Sequence, residues 1–372
     1  MSTGETLMFV VVIGARFLVP LLIPKFPLPA IIACLVLDAA DQSIFQAFGF
    51  DPPGYQSYDK AMDVYYLAMA YLSTLRNWVS VAAYKVTRFL YFYRLVGVVA
   101  FELTHTRALL LVFPNTFEYF FIAYEAIRSR WRTTRWQLRW WIGVAAFIWV
   151  FIKLPQEYWI HVAQLDFTEA LANNPWFGPT IVVALLLAGA AFWIWGRPRL
   201  VPADHPWRFA ADPLPEEMDT VDKQARWAAE HGAVWSMATF EKVMLLGLLS
   251  VIFAQTLPGV HASNVQLFVG ISAVVVVNAA ITLTLARRER NIESIGLTVA
   301  ARIVANLVLL AVAEWVLPGD GGRIDAGATL FFLGMICLLT TLHDRWLPVY
   351  ASRVASPDQS PDQETGVAPA TP

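Results

Sequence analysis

Apolar runs about as long as a bilayer is thick set the first limit on this chain. A helix needs roughly 17–25 mostly apolar residues to cross the hydrocarbon core, and about eleven stretches approach that length. They are 7–23, 27–49, 60–75, 79–101, 108–127, 140–154, 176–195, 243–257, 265–286, 297–317 and 328–342. Hydrophobic residues make up 57% of the 372 and charged ones only 15%, too apolar a balance for a soluble globule of this size. The expected fold is therefore all-α, a polytopic transmembrane helix bundle of about 10–11 spans, because lipid leaves no partner for an unpaired backbone. Segment 79–101 stands apart, since Lys85, Arg88 and Arg94 punctuate it; it reads either as a span or as a basic amphipathic helix at the interface.

Charge distribution gives the orientation. Arg128, Arg130, Arg132, Arg135 and Arg139 form one cluster, Arg197 and Arg199 open a second, and Arg287, Arg288 and Arg290 form a third. Stepping through the spans puts all three on one side together with the tail after Arg345, and the excess of positive charge makes that side cytoplasmic. The expected location is the plasma membrane, crossed many times, with a cytoplasmic C-terminus. Met1 to Glu5 lacks a basic n-region and Arg16 interrupts the apolar run behind it, so the first segment is expected to stay as a span.

Residues 1–351 are read as the membrane domain. Its cytoplasmic loop 197–235 is proline-rich and then carries one short helix, capped by Asp219 or Thr220 and ended by Gly232. Residues 352–372, rich in Ser, Pro, Asp and Thr, bury too little apolar surface to fold and are read as a disordered tail. A net charge of -2 provides no basic field for nucleic acid; the partners expected are the bilayer and a lipid or small-molecule substrate. Cys34 and Cys337 lie in separate apolar segments and read as small buried hydrophobes, and the six histidines show no paired spacing for haem or zinc.

The chemistry-bearing stretch is Phe26 to Trp78, two apolar helices joined at Asp51-Pro52-Pro53-Gly54. Asp38 and Asp41 are three apart and Asp59 and Asp63 four apart, so each pair shares a helix face. A folded hairpin collects four carboxylates. Such groups in a membrane must be paired, hydrated or bound to a cation, which makes them a candidate site. Arg16 and Arg76 are candidate compensating cations.

The pattern Asp38-x2-Asp41-x17-Asp59-x3-Asp63 resembles the aspartate spacing of the CDP-alcohol phosphatidyltransferases, over about Leu37 to Val64. The resemblance implies that Asp38, Asp41, Asp59 and Asp63 hold divalent metal, Mg or Mn, and that Asp63 is a ligand or the general base acting on the acceptor alcohol. Where the family has Gly, Ala-Arg and Gly, this chain has Gln42, Phe45-Gln46 and Tyr55. Read from the residues alone, the aspartates suit a polar core, paired with membrane arginines or hydrated in a polar cavity.

Further charges lie in neighbouring apolar segments. Glu102, Glu118 and Glu125, with Arg16, Lys85, Arg88, Arg94 and Arg302 as candidate partners, are expected to form a buried polar network or to line an ion or proton pathway. Glu241, Lys242 and Glu314, near span ends, are expected to reach the interface. Three functions follow as alternatives: a metal-dependent CDP-alcohol phosphotransferase, a transporter or ion pathway, and a non-catalytic membrane assembly subunit.

Overall fold

A computed structural model describes residues 3–47, 55–163, 170–171, 173–256, 264–287, 295–316 and 326–355. Among them every regular element is helical. α1 (Thr3–Leu18) tightens into a 3-10 turn at Val19–Leu22, where Pro20 cannot continue the α-helical ladder. α2 (Pro27–Ala47) starts on a proline, whose missing N–H costs nothing at a first helical position. α3 is Tyr55–Asn77. α4 (Val81–Thr104) is capped by the Ser80 hydroxyl, which accepts from the Ala83 N–H, and stops at His105 in the left-handed region, φ 53°.

The expected span 108–127 is broken. α5 (Ala108–Val112) and α6 (Thr116–Arg128) are separated at Phe113-Pro114, because proline removes a donor and restricts the residue before it. α7 begins as Leu138–Phe147 and runs on through π-helical and α-helical turns to Val162, accommodating Pro155. α8 (Phe177–Ala191) likewise continues through a π-helical turn at Phe192–Gly196. α9 (Val221–His231) is the short helix of the polar loop, with the Thr220 hydroxyl accepting from the Lys223 N–H. α10 (Met237–Thr256), α11 (Asn264–Arg287), α12 (Ile295–Val316) and α13 (Ala326–Ala355) complete the chain's described part.

Among the described residues four helices are long and apolar enough to cross a membrane: Leu138–Ile160, Phe177–Arg199, Met237–Ala254 and Leu330–Val354. Leu7–Leu22, Phe268–Thr284 and Ile295–Leu307 are apolar but shorter. Helices α3 and α4 carry four charged residues each, Asp59, Lys60, Asp63 and Arg76 in one and Lys85, Arg88, Arg94 and Glu102 in the other. Val182, Leu185, Leu186 and Leu187 of α8 are exposed, a surface suited to lipid rather than water.

α3 is the hub. From Val64 to Leu72 every residue is buried, the mark of a helix enclosed on all sides, and α2, α4, α10 and α13 pack around it. At its C-terminal end, Trp78 stacks on Tyr124 with ring centroids 3.6 Å apart. The segment 79–101, doubtful in the sequence, is an integral part of this bundle: α4 buries Tyr84, Thr87, Leu90, Tyr91 and Leu95 and shows Lys85 and Phe89 outward.

The first two arginine-rich loops meet one another, whereas Arg288 and Arg290 of the third lie outside the described residues. The Arg208 N–H donates to the Ser129 carbonyl and the Asp204 N–H to the Arg130 carbonyl, each at 3.0 Å, while Arg135 pairs with Asp204 at 2.9 Å. The Ala211 N–H reaches the Lys25 carbonyl in the α1–α2 connection, and Arg353 of α13 reaches the Pro213 carbonyl. These stretches thus share one face of the molecule.

Gly97 of α4 sits where α5 turns back. A Cβ added there meets Phe113 Cβ at 2.1 Å, so Gly97→Ala forces the two segments apart and is expected to cost about 1–3 kcal/mol. A Cβ added at Gly143 of α7 meets nothing within 4 Å, and Gly143→Ala is expected to be neutral or to gain up to ~1 kcal/mol through helix propensity. Paired melts in detergent check this contrast; equal shifts for both variants would contradict the packing described at Phe113.

Candidate functional site

The three N-terminal helices converge on one guanidinium. Arg16 of α1 donates through Nη2 to Asp38 Oδ1 at 2.5 Å and Asp63 Oδ1 at 2.6 Å. Through Nη1 it donates to Asp59 Oδ1 at 2.5 Å and to Asp41 Oδ2. All four Nη hydrogens are thereby used, one per carboxylate. The i,i+3 and i,i+4 spacings explain why: each helix presents both aspartates on the face turned toward α1.

Arg16 and Asp41 are buried, at 4% and 1% exposure. The side chains of Asp38, Asp59 and Asp63 keep 28%, 32% and 37%, so the cluster is closed at Asp41 and open at the other three. Carboxylate oxygens of Asp38, Asp59 and Asp63 lie within 4.8 Å of one another. With every carboxylate ionised, four negative charges and one positive leave a formal balance of -3. Like charges that close in a partly buried site demand either protons or another cation. An all-carboxylate donor set fits a hard ion such as Mg or Mn, although Arg16 hydrogen-bonds to the same oxygens and would have to yield some of them.

The cluster lies toward one end of the bundle. The fourteen residues from Asp63 to Asn77 place it ~21 Å, at 1.5 Å per residue, from the end of α3. Arg76 and Asn77 at that end both donate to the Pro24 carbonyl at 3.1 Å, beside the shared face of the loops. Arg76 therefore plays no part in compensating the aspartates, and Arg16 alone among the two candidates does.

The other expected network residues resolve into separate pairs rather than one system with Arg16 and Arg94. Glu102 pairs with Lys60 at 3.1 Å. Glu118 is held by neutral donors, the Tyr66 hydroxyl at 2.8 Å and the Asn115 amide at 2.9 Å. Glu125 pairs with Arg128 at 2.6 Å and accepts from the Trp78 indole at 2.8 Å. Arg94 donates to the Phe113 carbonyl at 2.9 Å, a backbone acceptor freed where Pro114 breaks the helix.

Glu241 and Lys242 are buried instead of reaching outward. Glu241 accepts from Tyr71 and pairs with Arg88 at 3.1 Å, and Lys242 pairs with Asp344. Glu314's side chain lies outside the described residues. Asp344, which also pairs with Arg302 at 2.6 Å, escaped the sequence reading because the last span was ended at Leu342. The helix instead continues through Pro348 to Ala355.

Comparison with protein-family models, curated proteins and solved structures finds no match to this chain.

Because Glu118 is satisfied by two hydrogen bonds and not by a cation, its variants separate cleanly. Glu118→Ala orphans two buried donors and is expected to cost about 2–5 kcal/mol. Glu118→Gln keeps an acceptor for Tyr66 and should cost about 1–2 kcal/mol. Denaturant melts in detergent distinguish them, and near-zero changes in both would place Glu118 at a solvated surface.

Proposed function

We propose that the chain is a multi-pass protein of the plasma membrane, crossing it about ten or eleven times with its arginine-rich loops and C-terminus in the cytoplasm, and that its α1–α3 centre is a divalent-cation site for phosphoalcohol transfer. The observation that carries this reading is the convergence of Asp38, Asp59 and Asp63 oxygens within 4.8 Å at the spacing Asp-x2-Asp-x17-Asp-x3-Asp. Asp38, Asp59 and Asp63 would hold a divalent ion there, which would supply positive charge for the phosphates of a CDP-linked donor. Asp63, the most exposed of the four, accepts the proton of the acceptor hydroxyl. The hydroxyl oxygen forms the new P–O bond, the bridging P–O bond breaks, and CMP leaves with that electron pair. Asp41, fully enclosed, holds the inner end of the centre.

A second reading is favoured by Arg16 itself. Its four hydrogen bonds make the cluster a paired polar core without any metal, and the site opens at the end of α3 away from the arginine-rich face. A cytoplasmic nucleotide donor does not reach that end easily, whereas an ion or proton pathway, or an assembly subunit, has no such requirement.

The two readings respond differently to metal. Under the first, Mg or Mn stabilises the folded protein by about 1.4 kcal/mol per tenfold concentration above Kd, and Asp38→Asn and Asp59→Asn abolish the response. CMP is released from CDP-alcohols in lipid, and Asp63→Asn stops the release. Arg16→Gln, which removes the competing cation, melts lower than wild type without metal and regains stability with it. Melting indifferent to both metals and to chelators, in wild type and Arg16→Gln alike, would remove the transferase reading and leave the paired core.

A further inference from the structure

The basic helix α4 turns a mixed stripe outward. Lys85, Arg88, Phe89, Phe92, Tyr93 and Val96 recur at helical spacing along one side of it and line an open groove. On one flank Arg88 meets Glu241 of α10 at 3.1 Å, and on the other Tyr93 lies against Trp149 of α7, ring centroids 5.1 Å apart. The groove therefore runs between α7 and α10 on the outside of the bundle, where Lys85, Phe89 and Val96 are exposed.

The two cations open onto this groove. Lys85 has no acidic partner among the described residues. Arg88 keeps 39% of its side chain exposed and meets Glu241 through Nη2, which leaves its other N–H groups toward the groove. Glu241 also accepts from the Tyr71 and Tyr84 hydroxyls, and its single charge is matched by Arg88, so Lys85 remains over. A cation on the outer side of a membrane helix is costly unless it reaches water or an anion. By contrast α8 and its continuation carry no charged residue from Phe177 to Gly196.

Position along α4 selects the anion. Residues 78–80, just before the helix, lie at the face where the loops gather: the Trp78 indole donates to Glu125, Glu125 pairs with Arg128, and Arg128 donates to the Ala210 carbonyl. At 1.5 Å per residue, Lys85 and Arg88 stand about 6 and 10 Å from the start of α4, and Val96 about 22 Å. The charged end of the stripe is thus at headgroup depth and the apolar end at the depth of acyl chains. The floor of the apolar end is held in place, since Tyr93 stacks on Phe89 at 5.5 Å and its hydroxyl donates to the Val112 carbonyl at 2.9 Å. A soluble anion matches only the charged end; a phospholipid matches both.

We propose that this groove holds an anionic phospholipid of the leaflet beside the arginine-rich loops, with its phosphate on Lys85 and the open N–H groups of Arg88 and one acyl chain along Phe89, Phe92, Tyr93 and Val96. Ammonium and guanidinium both suit phosphate, the first as a point charge and the second by geometry as well. The occupant supplies the negative charge that Glu241 does not have to spare and covers the apolar seam between α7 and α10. The inference rests on the membrane embedding proposed above and is independent of the Arg16 centre.

The test uses the full chain in phosphatidylcholine nanodiscs that carry a trace of phosphatidylglycerol with a photoactivatable acyl chain, and reads which peptides are labelled. Wild type is expected to be labelled within 89–96, and unlabelled phosphatidylglycerol, but not phosphatidylcholine, to displace the label. Lys85→Gln should lose about fivefold of it, the factor that one cation at a membrane surface contributes, while Lys85→Arg keeps it. Arg139→Gln removes one exposed charge from the same arginine-rich face and should leave the label unchanged. Lys85 is exposed, so its variants are expected to fold, and the displacement measured on wild type needs no variant. Equal displacement by phosphatidylcholine, wild-type labelling of Lys85→Gln, or the same loss in Arg139→Gln as in Lys85→Gln would overturn the proposal in favour of bulk attraction to the bilayer. Displacement by millimolar inorganic phosphate would overturn it in favour of a soluble anion. A chain that takes up no lipid and stays soluble without detergent would overturn the membrane reading and this inference together, whereas incorporation followed by any of the preceding outcomes overturns the inference alone.

Discussion

One guanidinium meeting four carboxylates fixes the N-terminal third of this protein. Arg16 spends every Nη hydrogen on Asp38, Asp41, Asp59 and Asp63, so α1, α2 and α3 have one register in which all four contacts are made. Buried ion pairs contribute little net stability once desolvation is counted, yet they penalise other arrangements by leaving charges unmatched. The surrounding apolar contacts, such as Phe17 stacked on Tyr65 at 5.1 Å, supply the adhesion. The aspartates supply the register.

The same arithmetic separates this centre from most of the polar interior. Lys60 with Glu102, Arg88 with Glu241 and Lys153 with Glu157 are pairings of one cation with one anion. Pairs of that kind need nothing from outside. The Arg16 centre carries an excess of carboxylates. Unmatched charge in a low-dielectric setting is where a ligand gains most, since it replaces a penalty and not a satisfied contact. The function proposed for the Arg16 centre rests on that asymmetry.

Much of the carboxylate centre was legible in the sequence because helical spacing alone puts Asp38 beside Asp41 and Asp59 beside Asp63 on two consecutive helices. Arg16 was legible as a compensating cation; which of Arg16 and Arg76 compensates depended on the fold of the α1–α2 connection, where Arg76 is taken by the Pro24 carbonyl. The helical class and the short helix after Thr220 followed from composition and capping. The break at Phe113-Pro114 was missed because an apolar run hides a proline whose effect is conformational and not hydropathic. Glu118's neutral partners and the Lys242, Asp344 and Arg302 group join residues up to 102 positions apart, and no local pattern encodes such pairings.

A structure determined in millimolar Mn, with anomalous density measured, tests the central claim most directly. The account predicts a Mn peak among the Asp38, Asp59 and Asp63 oxygens, with the Arg16 guanidinium withdrawn from at least one of them. Arg16 still holding all four aspartates, with no anomalous peak beside them, would contradict it.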